Sequence, residues 1–456
     1  MKRLNKGLPI LIMVLLFFSP DQIFAQDIDS TKTKIKKGWT FGALPIIGFD
    51  SDVGVQYGAV VNLYDYGDGS IFPDYKHSLY FEWSNTTKGS MISRFYYDSE
   101  YFIPNIRFIA DISYLTEKAL DFYGFNGYEA VYNPEWEDED DPAYVSRVFY
   151  RHERKMFRVM AGFQGNLMRN NDKLKWIAGF TYFNNKVGPV DIDKLNKGKD
   201  EADKLPEVDG LYDKYIDYGV LLPSEQDGNQ ITYLKGGIVY DGRDFDAFPS
   251  KGIWTEAVFS YAPRFLGDWE SSYLKFTFIH RQYFSIVKKK LVFAYRLGYQ
   301  GTIAGDVPFH IQPHIVPIEM RAATSQGLGG KSTLRGVLRN RIVGDGIVLG
   351  NFEMRWIFFR TIVFQQNLYL GTNLFFDTGR VVQNMERDIS NIEWESDTTG
   401  SYDQYFNPGA ESFHNTAGIG LKVGLNENFI LSIDYGRAFD KRDGKSGFYI
   451  KLYWLF

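Results

Sequence analysis

Apolar and polar side chains alternate with a period of two along most of this chain, and turn residues interrupt the alternation at regular intervals. The pattern predicts strands at 39–50, 53–65, 75–85, 89–101, 105–115, 146–169, 173–185, 230–242, 251–263, 270–286, 290–303, 346–360, 365–378, 413–425, 428–438 and 446–456. That is about sixteen strands, an even number in the range of single-chain membrane barrels. In the segment 346–360, Val348, Phe352, Met354, Trp356 and Phe358 share one parity, while Asn351, Glu353 and Arg355 share the other. In 365–378, Leu368, Leu370, Leu374 and Phe376 fall opposite Asn373 and Asp377. In the last segment Phe448, Ile450, Leu452, Trp454 and Phe456 oppose Tyr449, Lys451 and Tyr453. A cation on a lipid face at mid-membrane costs about 2–4 kcal/mol, so the apolar parity faces lipid and the charged parity faces the lumen.

The connections sort by length. Those after even strands are short (102–104, 170–172, 287–289, 361–364 and 426–427), with 66–74 the least tidy. The long ones, 116–145, 186–229, 304–345 and 379–412, all follow odd strands. Short turns at one end and long loops at the other are the signature of an outer-membrane barrel. The predicted fold is an all-β, transmembrane antiparallel barrel.

The loop at 304–345 is roughly forty residues long, far above the usual four to six. It carries Pro308, Pro313 and Pro317, then the run Gly327-Leu328-Gly329-Gly330-Lys331-Ser332-Thr333-Leu334-Arg335-Gly336. Apolar, glycine and cationic residues mixed in this way suit a segment that packs inside something. We therefore expect the loop to fold back into the lumen and Arg335 to find carboxylates there.

Composition agrees. Aromatic residues make up 17% of the chain, with 44 glycines, yet mean hydropathy is slightly negative, as strands with one apolar and one wet face require. There is no cysteine, which excludes disulfides and thiolate metal sites. A formal charge of −5 gives no reason to expect nucleic acid. Residues 1–25 read as a secretory signal, with Lys2, Arg3 and Lys6 before the apolar core Leu8–Phe18 and a small residue, Ala25, at its end. Residues 26–38 form a polar stub and 39–456 the barrel.

Other chemistry is sparse. Lys331-Ser332 follows Gly330 as in a phosphate loop, but position 325 is serine where the first glycine belongs, and no strand–loop–helix surrounds it. No Gly-x-Ser-x-Gly elbow or His-Glu-x-x-His pair occurs among the six histidines. His310 and His314 lie four apart, but Pro313 breaks any helix that would align them. The acidic run 135–141 is rich in the oxygen ligands calcium takes, yet lacks a glycine-kinked ligand spacing; a solvated loop tip fits better than a calcium site. No cofactor or metal is expected, and the chain reads as a non-enzyme.

The motifs Gly329-Gly330 … Leu334-Arg335-Gly336, Gly344-Asp345 and Asn351-Phe352-Glu353-Met354-Arg355 resemble those of the bacterial surface antigen or BamA/TamA superfamily of outer-membrane assembly barrels. Further matches follow in order: Asp121-Phe122-Tyr123-Gly124-Phe125, Tyr240-Asp241-Gly242-Arg243-Asp244, Phe248-Pro249-Ser250-Lys251-Gly252 and Phe375-Phe376-Asp377-Thr378-Gly379. The resemblance covers residues 39–456. It implies that Arg335 bonds Glu353 and Asp377, that Gly329, Gly330 and Gly336 allow the loop its close approach, and that Leu334 flanks the arginine. Val337 stands where the family usually has an aromatic.

The resemblance also implies a weak seam between first and last strands. Here Gly42, Pro45 and Gly48 lie in the first and Gly447 and Phe456 in the last. Pro45 cannot donate a ladder hydrogen bond, so either the seam is short of bonds or Pro45 marks a strand end; the sequence supports both equally.

Family members usually carry periplasmic POTRA domains, and the 26–38 stub is too short for one. The expected function is insertion or translocation of proteins, or of lipids, at the bacterial outer membrane. The expected partners are outer-membrane lipid, unfolded outer-membrane or exported protein clients, and a periplasmic or membrane partner in place of POTRA domains. A passive diffusion channel with a loop plug is the alternative, and an outer-membrane hydrolase a third reading.

Overall fold

The computed structural model describes residues 35–72, 74–245, 248–288, 290–315, 327–363, 366–387, 389, 401–425, 429–452 and 454–456. The signal segment, nearly all of the stub, Pro317, Ser325 and Tyr453 lie outside the described residues. The strands are Trp39–Asp50 (β1), Gly54–Asp65 (β2), His77–Thr86 (β3), Ser90–Ile103 (β4), Ile106–Asp121 (β5), Arg151–Met168 (β6), Asn171–Gly188 (β7), Gln230–Asp241 (β8), Gly252–Ala262 (β9), Tyr273–Val287 (β10), Leu291–Ala304 (β11), Gly346–Val363 (β12), Gln366–Gln383 (β13), His414–Leu425 (β14), Phe429–Ala438 (β15) and Ser446–Leu452 (β16). Each pairs antiparallel with its sequence neighbours, and β1 meets β16 to close the barrel. No helix among the described residues is long and apolar enough to cross a membrane.

The lipid face is built by one parity of each strand. Phe81, Trp83, Met354, Trp356, Phe358, Leu374 and Phe376 are exposed, while Asn351, Glu353, Arg355, Asn373 and Asp377 on the other parity are buried in the lumen. Several strands outrun the alternation at the long-loop end. The β5 strand continues to Asp121, β7 to Gly188 and β13 to Gln383. Their tips carry buried apolar residues on the inner face, Leu120, Val187 and Val381, of which Val187 and Val381 pack against the loops, but these are interspersed with charged residues and glycine, so no sustained alternation marks the ends.

The four long loops cover that end of the barrel. Their aromatic side chains form a buried cluster that includes Phe122, Phe125, Tyr150, Tyr212, Tyr215, Phe309 and Phe406. Phe122 lies edge-on to Phe125, Tyr212, Tyr215 and Phe309, the edge-to-face packing that aromatic quadrupoles favour. A short helix, Leu211–Asp217, brings Tyr212 and Tyr215 to this cluster. Gly124 has φ +86°, and a Cβ there would lie 2.4 Å from the Tyr215 hydroxyl, so the motif glycine is what lets the loop close on the helix.

The last strand departs from the expected pattern. Phe448 and Leu452 face lipid, but the ladder ends at Leu452, and Trp454 and Phe456 are buried inside the barrel rather than on its outer face. The cause is Arg355. Its guanidinium lies 4.6 Å from the Trp454 ring and 4.7 Å from the Phe456 ring, and its Nη2 donates to the Phe456 carbonyl at 2.9 Å. A buried arginine over an aromatic face gains about 2 kcal/mol once desolvated, and Arg355 collects two such rings here. Alternation alone does not distinguish an aromatic that faces lipid from one that faces a cation.

Candidate functional site

The described part of the long loop between β11 and β12 enters the lumen as a tight, self-bonded turn. Leu328 and Ile342 exchange backbone hydrogen bonds, at 3.0 and 3.2 Å, and the Gly330 N–H donates to the Val337 carbonyl at 2.9 Å. The Thr333 hydroxyl accepts from the Gly329 N–H at 2.9 Å, bracing the turn from inside. Gly329, Gly330 and Gly336 take φ of +120°, +75° and +102°, values that only glycine reaches without strain. The apolar residues of the loop, Leu328, Leu334, Val337 and Ile342, pack with Ile347, Leu349 and Val381 of β12 and β13. Val337 is fully enclosed in that cluster.

This turn delivers Arg335 to the wall. Its backbone N–H, Nε and Nη2 all donate to Asp377, at 3.1, 2.8 and 2.9 Å, and Nη1 donates to Glu353 at 2.7 Å. The guanidinium also lies 3.5 Å over the Phe375 ring. All three charged side chains are fully buried. An arginine taken from water survives only when its fork is matched by acceptors in the right plane, and here both carboxylates face it from adjacent strands. Asn351 and Asn373 donate to the same carboxylates at 2.8 and 3.1 Å, and Arg355 takes the second oxygen of Glu353 at 2.7 Å.

Several contributors were not singled out from the sequence. Asp434 on β15 lies 3.8 Å from Arg335 Nη1 and receives Lys422 and Lys451. Gly436 lets the loop backbone lie directly on β15, since a Cβ there would come within 2.3 Å of the Arg335 carbonyl. The Tyr449 hydroxyl accepts from the Gly336 N–H at 3.1 Å. Beyond the turn, Arg339 binds Asp121 at 2.7 Å and Glu117 at 3.2 Å. Arg341 donates to the carbonyls of Arg442, Gly127 and Ala130 at 2.8, 2.9 and 3.0 Å, tying the lumen loop to the aromatic cap. The dense arginines of Leu338-Arg339-Asn340-Arg341 were the available signal.

Among the described residues, the seam is paired only at its long-loop end. There β1 and β16 align at Phe49–Ile450 and Asp50–Tyr449, and Ser51 adds three bonds to Phe448. By contrast, β1 pairs with β2 along its whole length, from Trp39–Asp65 to Asp50–Gly54. Pro45 therefore sits mid-strand, in register with Ala59, and not at a strand end. Gly42 and Gly48 lie within β1 opposite Asn62 and Gln56, while Gly447 of β16 pairs with Gly436 of β15. Phe456 is not on the seam; it lies across the lumen against Arg355, because the chain leaves the ladder after Leu452. The seam is thus an edge of β1, from Trp39 toward Gly48, with no aligned partner on β16 among the described residues.

The Omp85 superfamily domain is matched by residues 90–452. The chain belongs to the Omp85 superfamily. This Omp85 barrel is similar in fold to BamA from Haemophilus ducreyi lacking POTRA domains 1–3, at 16% identity and a TM-score of 0.51, covering 91% of this chain and 70% of that one. It is also similar to CdiB from Escherichia coli, at 12% identity and a TM-score of 0.51, covering 91% of this chain and 62%, under two thirds, of that one. No curated protein matches the chain. Omp85 barrels reside in the bacterial outer membrane and serve insertion and transport rather than catalysis. His310 and His314 sit in the buried loop, and no group of three metal-ligating side chains occurs among the described residues. The acidic run at 135–141 is bound up in loop structure, with Glu137 paired to Arg151 and Glu139 to Arg147.

Proposed function

We propose that this Omp85 barrel inserts polypeptides into the outer membrane, or passes them through it, by offering the free edge of β1 to an incoming strand. The observation that carries the reading is that, among the described residues, β1 aligns with β16 only at Phe49–Ile450 and Asp50–Tyr449. An unpaired edge presents a row of backbone donors and acceptors that templates β-addition. Pro45 weakens one position of that edge, and Ile47, more than half exposed on the lipid-facing parity, supplies apolar surface beside it. The buried Arg335 loop and the aromatic cap close the other end, which favours directed insertion at the seam over free diffusion through an open pore. Clients are unfolded outer-membrane or exported proteins, delivered by a periplasmic or membrane partner.

The test is site-specific photo-crosslinking in proteoliposomes with an unfolded barrel client. A photoreactive residue at Ile47 on β1 should capture the client during insertion, and one at the equally lipid-facing Phe278 on β10 should not. Equal capture at both positions, or none at Ile47, would sink the reading.

A further inference from the structure

One stretch of the lumen wall extends past the Arg335 pair, on the side away from the seam. It lies toward the short-turn end, where a continuous cross-strand row runs Asp241, Trp254, Arg281, Arg296, Asn351, Asp377 across β8 to β13. At the right of this row charge is balanced, since Asp377 holds Arg335. At the left Asp241 holds Arg243. The centre is different. Arg281 and Arg296 stand directly opposite each other on neighbouring strands, both buried, and neither makes an ion pair among the described residues.

Arg296 is partly satisfied by neutral acceptors, the Asn351 side-chain oxygen at 2.8 Å and the Ser332 carbonyl at 2.9 Å. Arg281 has less. Its Nε and Nη1 are buried without an acceptor, and its guanidinium lies 5.7 Å from the Trp254 ring, which Arg243 covers more closely at 4.4 Å. Two residues along the same face of β10, the Tyr283 hydroxyl is also buried and unpaired. Like charges directly opposite on a sheet repel, and a buried guanidinium without an acceptor forfeits its hydration. A wall that sets an unsatisfied guanidinium beside one held only by neutral acceptors, with a spare hydroxyl next to them, is complementary to an oxyanion with several acceptor oxygens.

We propose that Arg281, Arg296 and Tyr283 form a phosphate-binding site on the lumen wall of this barrel, covered by the tail residue Phe456. The Phe456 ring lies 5.4 Å from the Arg296 guanidinium and 6.3 Å from the Tyr283 ring, so the ligand and the ring compete for the same cations. The geometry takes a tetrahedral group with at least three free oxygens, which is the chemistry of a phosphate monoester or of inorganic phosphate. The inference does not rest on seam opening and stands or falls apart from it.

The experiment uses the full chain in a maltoside detergent free of phosphate. Titration calorimetry is run with inorganic phosphate, with a short-chain phosphatidic acid, and with the matching diacylglycerol as the phosphate-free control. Saturable binding of inorganic phosphate or of phosphatidic acid, with none of diacylglycerol, is expected. Tighter binding of phosphatidic acid identifies a lipid headgroup as the source, and equal binding identifies the free ion. Arg281→Met should weaken binding about tenfold, the usual loss with one charge-assisted hydrogen bond. It should also melt no lower than wild type without phosphate, because it removes an unpaired charge. Should that variant not fold, Arg281→Lys keeps the charge but not the fork and is expected to bind more weakly than wild type. Phe456→Ala, which uncovers the site, should bind phosphate at least as tightly as wild type. No saturable binding of either phosphate compound, undiminished binding by the Arg281 variant, a lower melt for Arg281→Met in the absence of phosphate, or weaker binding by Phe456→Ala would overturn the proposal.

Discussion

Asp377 accepts three hydrogen bonds from Arg335, one from the backbone and two from the guanidinium, so a single β13 carboxylate fixes both the position of the loop and the direction of its side chain. A pair held this way cannot rotate out of register without breaking all three at once. The loop is thereby part of the lumen wall rather than a plug resting in it.

Arg335→Ala leaves Asp377 buried without its cation and Glu353 with Arg355 alone, and is expected to cost about 3–5 kcal/mol. Arg335→Lys should recover little of this, because an ammonium cannot serve both carboxylates and the Phe375 face together. Heat-dependent unfolding of the barrel on semi-native gels measures both. A lysine variant as heat-resistant as wild type would contradict the geometry.

Gly436→Ala tests the close approach of the loop to β15. The added Cβ would meet the Arg335 carbonyl at 2.3 Å, backbone that cannot swing aside. The variant should displace the turn and expose Arg335, read as new protease cleavage or faster hydrogen exchange at 327–340. Unchanged protection there would show that the loop is not seated on β15.

Glu411 gives a pH dependence outside the membrane. Burial pushes its carboxyl upward, but the hydrogen bond from His414 and those from the backbone N–H groups of Tyr128 and Val381 outweigh it and leave it below the usual carboxylate range. A depressed carboxylate stabilises the fold above its unfolded value of about 4.3 and loses that contribution as pH falls through the folded value. Glu411→Gln should therefore melt below wild type at neutral pH, with the gap closing in acid. A gap that stays constant down to pH 3 would contradict the linkage.

Arg341→Ala removes the donor to three loop carbonyls and should loosen the cap. Planar-bilayer recordings should show wild type closed and the variant flickering open. Steady wild-type conductance at the level of the variant would favour the diffusion-channel reading.

Much of this architecture is legible in the sequence because the barrel obeys a period of two. Parity places Glu353, Asn373 and Asp377 in the lumen, and resemblance to a family names the first and last of these as partners of Arg335. Other parts are not local. Asp434, Gly436 and Tyr449 reach the loop only because barrel closure brings β15 and β16 beside it, and no spacing in the chain records that. The tail departs from the pattern for a different reason. Trp454 and Phe456 keep the lipid-facing alternation, but a buried Arg355 offers them a better partner than lipid. The strand ends at Asp121 and Gln383 escape the pattern because Leu120 and Val381 point to loops rather than continuing a regular alternation.

The most direct test of the account is a reversible lock on the seam. The chain has no cysteine, so Phe49→Cys with Ile450→Cys adds a single pair at an aligned position, within reach of a disulfide. A strand can pair with the full length of β1 only if that end releases. The measurement is the rate at which proteoliposomes carrying the locked barrel fold an unfolded outer-membrane client. The account predicts the rate of protein-free liposomes when the pair is oxidised and full acceleration after reduction. Acceleration by the oxidised barrel equal to that of the reduced one would contradict it.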